Sequence, residues 1–183
     1  MDGLELKQDM LSRLKKTYKK YINDDQYVYK MCNDEWIVIM RKLKPTRKRT
    51  RAQLKNIDLM TEIETKTNES RSHVSDPMYA KFRANVLYVV KIVNANNGGE
   101  IQEVINNNYR TTKYVVGQNV VPDHFDDRLD CIMTSGIHYF KTIEAAFYYF
   151  RSIPPDFTGK WKRWNDCGNI WSEENYINGH RVY

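Results

Sequence analysis

The stretch Thr112-Lys-Tyr-Val-Val-Gly117-Gln-Asn-Val-Val121-Pro-Asp123, with Cys131-Ile-Met-Thr-Ser-Gly136-Ile-His138-Tyr-Phe140-Lys-Thr142-Ile-Glu144-Ala-Ala-Phe-Tyr-Tyr-Phe150 after it, contains the change of period that decides the fold. Lys113 to Val121 reads as a strand, with Gly117 as a bulge or turn. Ile137 to Phe140 reads as a short buried strand. The pattern then becomes helical over 142–151. Thr142 suits the N-cap, and Glu144 in the first turn complements the helix dipole. Ala145, Ala146, Tyr149 and Phe150 form a packing face, and Pro154-Pro155 ends the element.

Upstream, Phe82, Ala84, Val86, Tyr88, Val90 and Ile92 alternate with a more mixed set, so 82–93 is expected to be one long strand. Tyr27 to Met31 is β-prone, Asn33-Asp34 is a turn signal, and Trp36 to Met40 is an apolar run suited to a strand buried on both faces. Residues 4–22 place Leu4, Leu11, Leu14, Tyr18 and Tyr21 or Ile22 at helical spacing. Asn97-Gly98-Gly99 marks a turn, and Ile101 to Asn106 suggests one or two helical turns. Residues 44–75 change character and read as a mobile insertion between core strands, with a weak helical stripe over 52–63.

The tail, Gly159-Lys-Trp161-Lys-Arg-Trp164-Asn-Asp-Cys-Gly168-Asn-Ile-Trp171-Ser-Glu-Glu-Asn-Tyr176-Ile-Asn-Gly179, alternates aromatic and charged residues between glycines. It predicts a β-hairpin that turns near Asp166-Cys167-Gly168.

The 183 residues are 41% hydrophobic and 28% charged, a globular composition that includes thirteen Tyr. Three cysteines, Cys32, Cys131 and Cys167, are too few and too scattered for a disulfide framework or a zinc set. They favour a reducing compartment. No apolar run is long enough to span a membrane, and the first residues lack signal-peptide character, so the expectation is an intracellular protein off the membrane. Arg41, Lys42, Lys44, Arg47, Lys48, Arg49, Arg51 and Lys55 form a run without an acid. These eight cations exceed the net charge of +6, so the basic character is local.

Three blocks carry a resemblance to a known family. They are Thr67-Asn-Glu-Ser-Arg-Ser with Pro77-Met-Tyr-Ala-Lys-Phe-Arg-Ala-Asn85; Tyr114-Val-Val-Gly117 with Pro122-Asp-His-Phe-Asp126; and Cys131 with Gly136-Ile-His-Tyr-Phe-Lys-Thr-Ile-Glu-Ala-Ala-Phe-Tyr-Tyr149. Together they resemble a family of uncharacterised proteins of mimivirus-like giant DNA viruses. The tail is similar to one unit of the variant MORN repeats that accompany that family. The resemblance implies an interaction or scaffolding role and passes on no catalytic residue. It places the chain in the host cytoplasm or viral factory, or in the virion.

His138 is the main candidate for chemistry. It reads either as a structural imidazole bonded to the acidic loop of Asp123, Asp126, Asp127 and Asp130, or as a catalytic one. Gly136 to Ala146 is loosely similar to a segment of ADP-ribosyltransferase-like folds. That resemblance implies a pocket in which Arg83 grips a phosphate and Glu144 serves as the acid, although no catalytic glutamate follows in a late strand. The acidic loop lacks calcium-loop spacing, and no metal or cofactor is expected. The basic run suits sequence-blind phosphate contacts, without aromatic residues for base stacking.

These readings give an α+β fold: a mainly antiparallel sheet with a covering helix, an N-terminal helix over 1–25, a core over 26–152 with the basic insertion at 44–75, and a Trp-rich hairpin tail over 153–183. The expected function is a noncatalytic viral interaction or virion-associated module. Trp161, Trp164, Trp171 and Tyr176 are the candidate partner surface, the partner being a viral or host protein or a second copy of the chain. An enzyme centred on His138 and nucleic-acid binding through 41–55 are the alternatives.

Overall fold

A computed structural model describes residues 10–22, 24–44, 63–107, 111–149 and 151–183. Leu4, Phe150 and most of the basic run lie outside the described residues. The fold is α+β, a mainly antiparallel, curled half-barrel sheet with a few short helices.

The local signals are realised where they were strongest. Strands β1 (Tyr27–Cys32) and β2 (Trp36–Arg41) pair antiparallel from Tyr27↔Arg41 to Cys32↔Trp36. Asn33 and Asp34 between them take positive φ of 50° and 59°, a region these two residue types tolerate best. The helical pattern before β1 becomes α1 (Met10–Thr17) and α2 (Lys19–Ile22), which bury Leu11, Leu14 and Tyr21.

The stretch 82–93 is not one strand. It divides into β3 (Lys81–Ala84) and β4 (Leu87–Asn94). The break has a physical cause: the segment 64–67 takes the hydrogen bonds at the joint. Asn85 Oδ1 accepts from the Lys66 amide at 2.7 Å, and Thr65 Oγ1 donates to the Val86 carbonyl at 2.8 Å. Thr67 forms a bridge with Ala84. Within 63–75, Asn68 and Arg71 are buried, 1% and 4% exposed, and anchor a segment whose other side chains are half-buried or exposed.

The region after β4 also departs from expectation. Ile101 to Asn106 is extended as β5 (Glu100–Ile101) and β6 (Glu103–Asn106), not helical. The stretch 113–121 becomes β7 (Thr112–Val115) and β8 (Asn119–Val120), with Gly117 at φ 84° in the turn. β7 pairs with β6 in a separate two-stranded ribbon, while β8 joins β4.

The main sheet runs β3-β9-β1-β2-β4-β5, where β9 is Ile137–Phe140. β3 and β4 are joined only through Asn85 and Val86, yet they lie four strands apart, so the sheet must curl. Alternation along β1 and β2 feeds two cores. Tyr29, Met31, Ile37 and Ile39 pack with α1, α3 (Ile143–Tyr148) and the tail, whereas Val28, Cys32, Val38 and Met40 pack with Phe82, Ile137, Tyr139 and Tyr114. The near-continuous apolar run of β2 is thereby explained: Ile37 to Met40 are buried on both faces.

The tail folds as β10 (Gly159–Trp164), β11 (Ile170–Ile177) and β12 (His180–Val182). Its turn is attached to the core. The amides of Ser75 and Asp76 donate to the Cys167 carbonyl at 2.9 and 3.2 Å, and the Lys81 amide donates to the Asp166 carbonyl at 3.1 Å.

Candidate functional site

The sheet has a slit. β9 pairs with β3 from Lys81↔Phe140 to Ala84↔Ile137, but it meets β1 at only one pair, Tyr29↔Phe140. Beyond that pair the two strands diverge. The gap is a cavity of about 640 Å³ whose walls include Lys30 and Met31 from β1, Ile137 and His138 from β9, Asn106 from β6 and Tyr114 from β7. Residues 122–124 at the start of the acidic loop and 133–136 beyond it also line the cavity.

His138 stands in this wall with its Nε2 2.9 Å from the Ile132 carbonyl, so that nitrogen carries the proton and donates. Desolvation is the largest influence on the ring and lowers its pKa to about 4; the Ile132 bond opposes this, and Lys30, Lys81 and Arg83 add to it. The imidazole is neutral at physiological pH.

Arg83 is the direct cross-strand neighbour of His138 and is fully buried. Its Nη1 donates to the Asp126 and Ser135 carbonyls at 2.7 and 2.9 Å, and its Nη2 to the Arg128 carbonyl at 2.7 Å. The guanidinium braces the acidic loop from within and has no open face for a phosphate. Glu144 lies on α3, paired to Lys15 at 2.6 Å and near Lys162 at 4.0 Å, and is not part of the slit wall. Of the three residues expected to converge, only His138 and Arg83 are neighbours, and only His138 faces the cavity. In the acidic loop, Asp126 pairs with Arg128 at 2.6 Å.

The Trp set divides. Trp161 is 1% exposed, with edge-on contacts to Tyr148 and Phe157, and Tyr176 is 9% exposed, so both are core residues instead of surface ones. Trp161 is covered by α3 and Tyr176 packs beside Phe157, which removes both from a partner surface. Trp164 is half-buried and stacks on Tyr79 at 4.4 Å with an interplanar angle of 7°. Trp171 is 74% exposed. Trp164 and Trp171 share a second cavity of about 220 Å³ with Tyr79, Phe140, Tyr148 and Tyr149, beside Arg151 and Arg163.

The basic run is only partly described. Arg41 lies over the Tyr88 ring at 5.2 Å, and Lys42 pairs with Glu69 at 2.5 Å, so both serve the fold. Lys44 is exposed. Arg47, Lys48, Arg49, Arg51 and Lys55 lie outside the described residues.

Sequence reasoning missed a polar hub in the block 68–71. Asn68 Oδ1 accepts from the Arg83 amide at 2.8 Å. Glu69 accepts from the Tyr139 hydroxyl at 2.6 Å and pairs with Lys141 at 2.6 Å. Arg71 Nη1 donates to the Lys81 carbonyl at 2.6 Å. Burial pushes the Glu69 carboxyl up, but bonds from Lys141, Lys42 and Tyr139 outweigh it and leave it below the usual carboxylate range. Lys30 was missed too. The only signal in the sequence was a cation within a β-prone apolar run.

The profile of a family of unknown function (DUF5758) matches residues 16–146, from α1 into α3. Apart from Tyr149, every residue of the slit wall falls within that span; Trp164 and Trp171 lie beyond it. No curated protein and no solved structure matches the chain.

Proposed function

The chain belongs to this family of unknown function, and on that premise we propose that it is a noncatalytic protein-interaction module of a giant DNA virus, acting in the host cytoplasm, the viral factory or the virion. The viral reading rests on the blocks from Thr67 to Tyr149 and on the MORN-like pattern of Gly159 to Gly179. The observation that carries the interaction reading is the aromatic pocket of Trp164 and Trp171.

That pocket is built to hold a side chain of another protein. At about 220 Å³ it lies below the ~300–1,000 Å³ common for free small ligands. Its aromatic walls are held by a sheet whose other rings, Trp161 and Tyr176, are fixed in the core. An exposed Trp on a rigid support costs little ordering entropy on binding. Arg163, exposed at the rim, favours a segment that presents an acidic residue beside its apolar anchor.

The test is affinity purification from infected cells with wild type and Trp171→Ala, followed by titration of the recovered partner against both purified chains. Truncating a central Trp costs about 2 kcal/mol or more, roughly a 30-fold loss of affinity. Equal affinity for the two chains would overturn the reading. Sedimentation of the chain alone distinguishes a second copy from a different protein as the occupant.

A further inference from the structure

The slit between β1 and β9 holds an ammonium that forms no ion pair among the described residues. Lys30 is half-buried, lines the cavity, and makes no hydrogen bond or ion pair among the described residues. Desolvation is the largest influence on it and lowers its pKa, with the neighbouring Lys81 acting in the same direction. The buried groups around it, among the described residues, offer no anion. Cys32 is buried and its thiol is pushed up to about 11, so it stays protonated. The Tyr114 phenol is raised well above its ordinary value by burial. Lys81, also in the wall, is already satisfied by Asp166 at 2.9 Å and the Tyr149 hydroxyl at 2.9 Å. Asp34 and Asp123 line the cavity as exposed residues at its rim, and Asp34 accepts from Ser152 at 3.3 Å.

A second polar group in the wall is also orphaned. Asn106 is 9% exposed, and its buried Oδ1 accepts no hydrogen bond. Leaving a partly desolvated charge without a partner is costly, and such a group is normally satisfied by protein, water or ligand. The cavity of about 640 Å³ falls inside the small-ligand range, unlike the aromatic pocket. His138 adds a neutral ring fixed by the Ile132 carbonyl, which leaves Nδ1 as an acceptor.

We infer that the slit is a binding site for a small hydroxylated organic anion, whose carboxylate or phosphate pairs with Lys30 and whose hydroxyl donates to Nδ1 of His138. Arg83 and Glu144 take no part. The ammonium meets the anion in a desolvated gap, where charge-assisted hydrogen bonds are strong. Neither the aromatic pocket nor its partner enters this argument.

The probe is glycerol phosphate, titrated into the purified chain at constant ionic strength and followed by amide NMR shifts, with uncharged glycerol as control. Saturable shifts are expected at Lys30, Ile137 and His138, with thermal unfolding moved to higher temperature by the probe. Lys30→Met removes the ammonium and keeps the stem. It is expected to lose at least tenfold in affinity while folding as well as wild type or better, because an unpaired, partly desolvated charge has gone. Asn106→Asp places a carboxylate in the same wall and is expected to abolish probe binding if Lys30→Met proves too unstable to measure. Absence of saturable shifts at ~10 mM probe, where even a weak complex forms, overturns the assignment. Equal binding of glycerol overturns it as well, as does either variant binding the probe as wild type does.

Discussion

Arg83 and His138 stand opposite one another across β3 and β9, and both direct their polar atoms to backbone carbonyls of one loop, 126–135. A buried guanidinium that satisfies three carbonyls is a brace. Replacing Arg83 by Met leaves those carbonyls without their donor, and a charge-assisted bond is worth about 1.5–3 kcal/mol. Arg83→Met is expected to cost at least ~3 kcal/mol in urea unfolding and to raise hydrogen exchange in 126–135 above that of β1 and β2. Unchanged protection there would refute the brace.

Acid should act on this fold in two windows. His138 titrates near 4 in the fold against 6.5 in the open chain. Between these values the unfolded chain binds the extra proton, so stability falls as pH drops from 6.5 towards 4. The loss is on the order of 3 kcal/mol. Glu69 has a lowered pKa, so the stability it contributes above 4.5 is lost only at more acid pH. His138→Gln should flatten the upper limb and Glu69→Gln the lower one, read as denaturation midpoints against pH.

Gly168 sits at φ 91°, and a Cβ there would fall far inside contact distance of the Asp76 carbonyl oxygen. Gly168→Ala must move the hairpin turn off residues 75–81 and is expected to cost at least ~2 kcal/mol. Gly98, at φ 77° with open space around it, is the control and should lose only about 1 kcal/mol in the same melt.

The tail tryptophans should separate by assay. Trp161→Ala opens a cavity beneath α3 and is expected to cost about 3–5 kcal/mol. Trp171→Ala touches an exposed ring and should stay within about 0.5 kcal/mol of wild type in thermal unfolding. A large destabilisation by Trp171→Ala would show that the ring is structural, contrary to the exposed position described.

Tyr139→Phe removes the 2.6 Å bond to Glu69 and leaves the ring packed on Phe82. The expected loss is about 1–2 kcal/mol, with the sheet intact by circular dichroism. A loss near zero would mean that Lys42 and Lys141 satisfy the carboxylate by themselves.

Much of the candidate chemistry was named from the sequence with its roles unresolved. His138 was legible because an imidazole amid apolar strand residues stands out; its bond goes to the Ile132 carbonyl, two residues past Asp130 of the acidic loop. Arg83 was named from the sequence as a phosphate-gripping cation and not as a brace, because its acceptors lie 43 to 52 residues away. Lys30 gave little signal, since a lysine in a strand ordinarily points to water. Trp161 and Trp171 look alike in an alternating hairpin. A single residue of shift exchanges the faces, and the register slip between Arg163 and Trp164 makes parity unreliable.

The sequence by itself determined what depends on neighbours along the chain: the β1–β2 hairpin through its turn residues, the start of α3 through its Thr142 cap, though the helix ends at Tyr148 and not at 151, and the C-terminal hairpin through Gly168 and alternation. Tertiary structure alone decided that 82–93 breaks at Asn85, that β9 enters between β3 and β1, and that the entry leaves a slit around Lys30. The reason is physical. Turn and cap preferences are set by bonds a few residues apart, whereas strand edges offer the same N–H and C=O groups to any partner. Which edges meet, and where they part, is chosen by the burial of both faces at once.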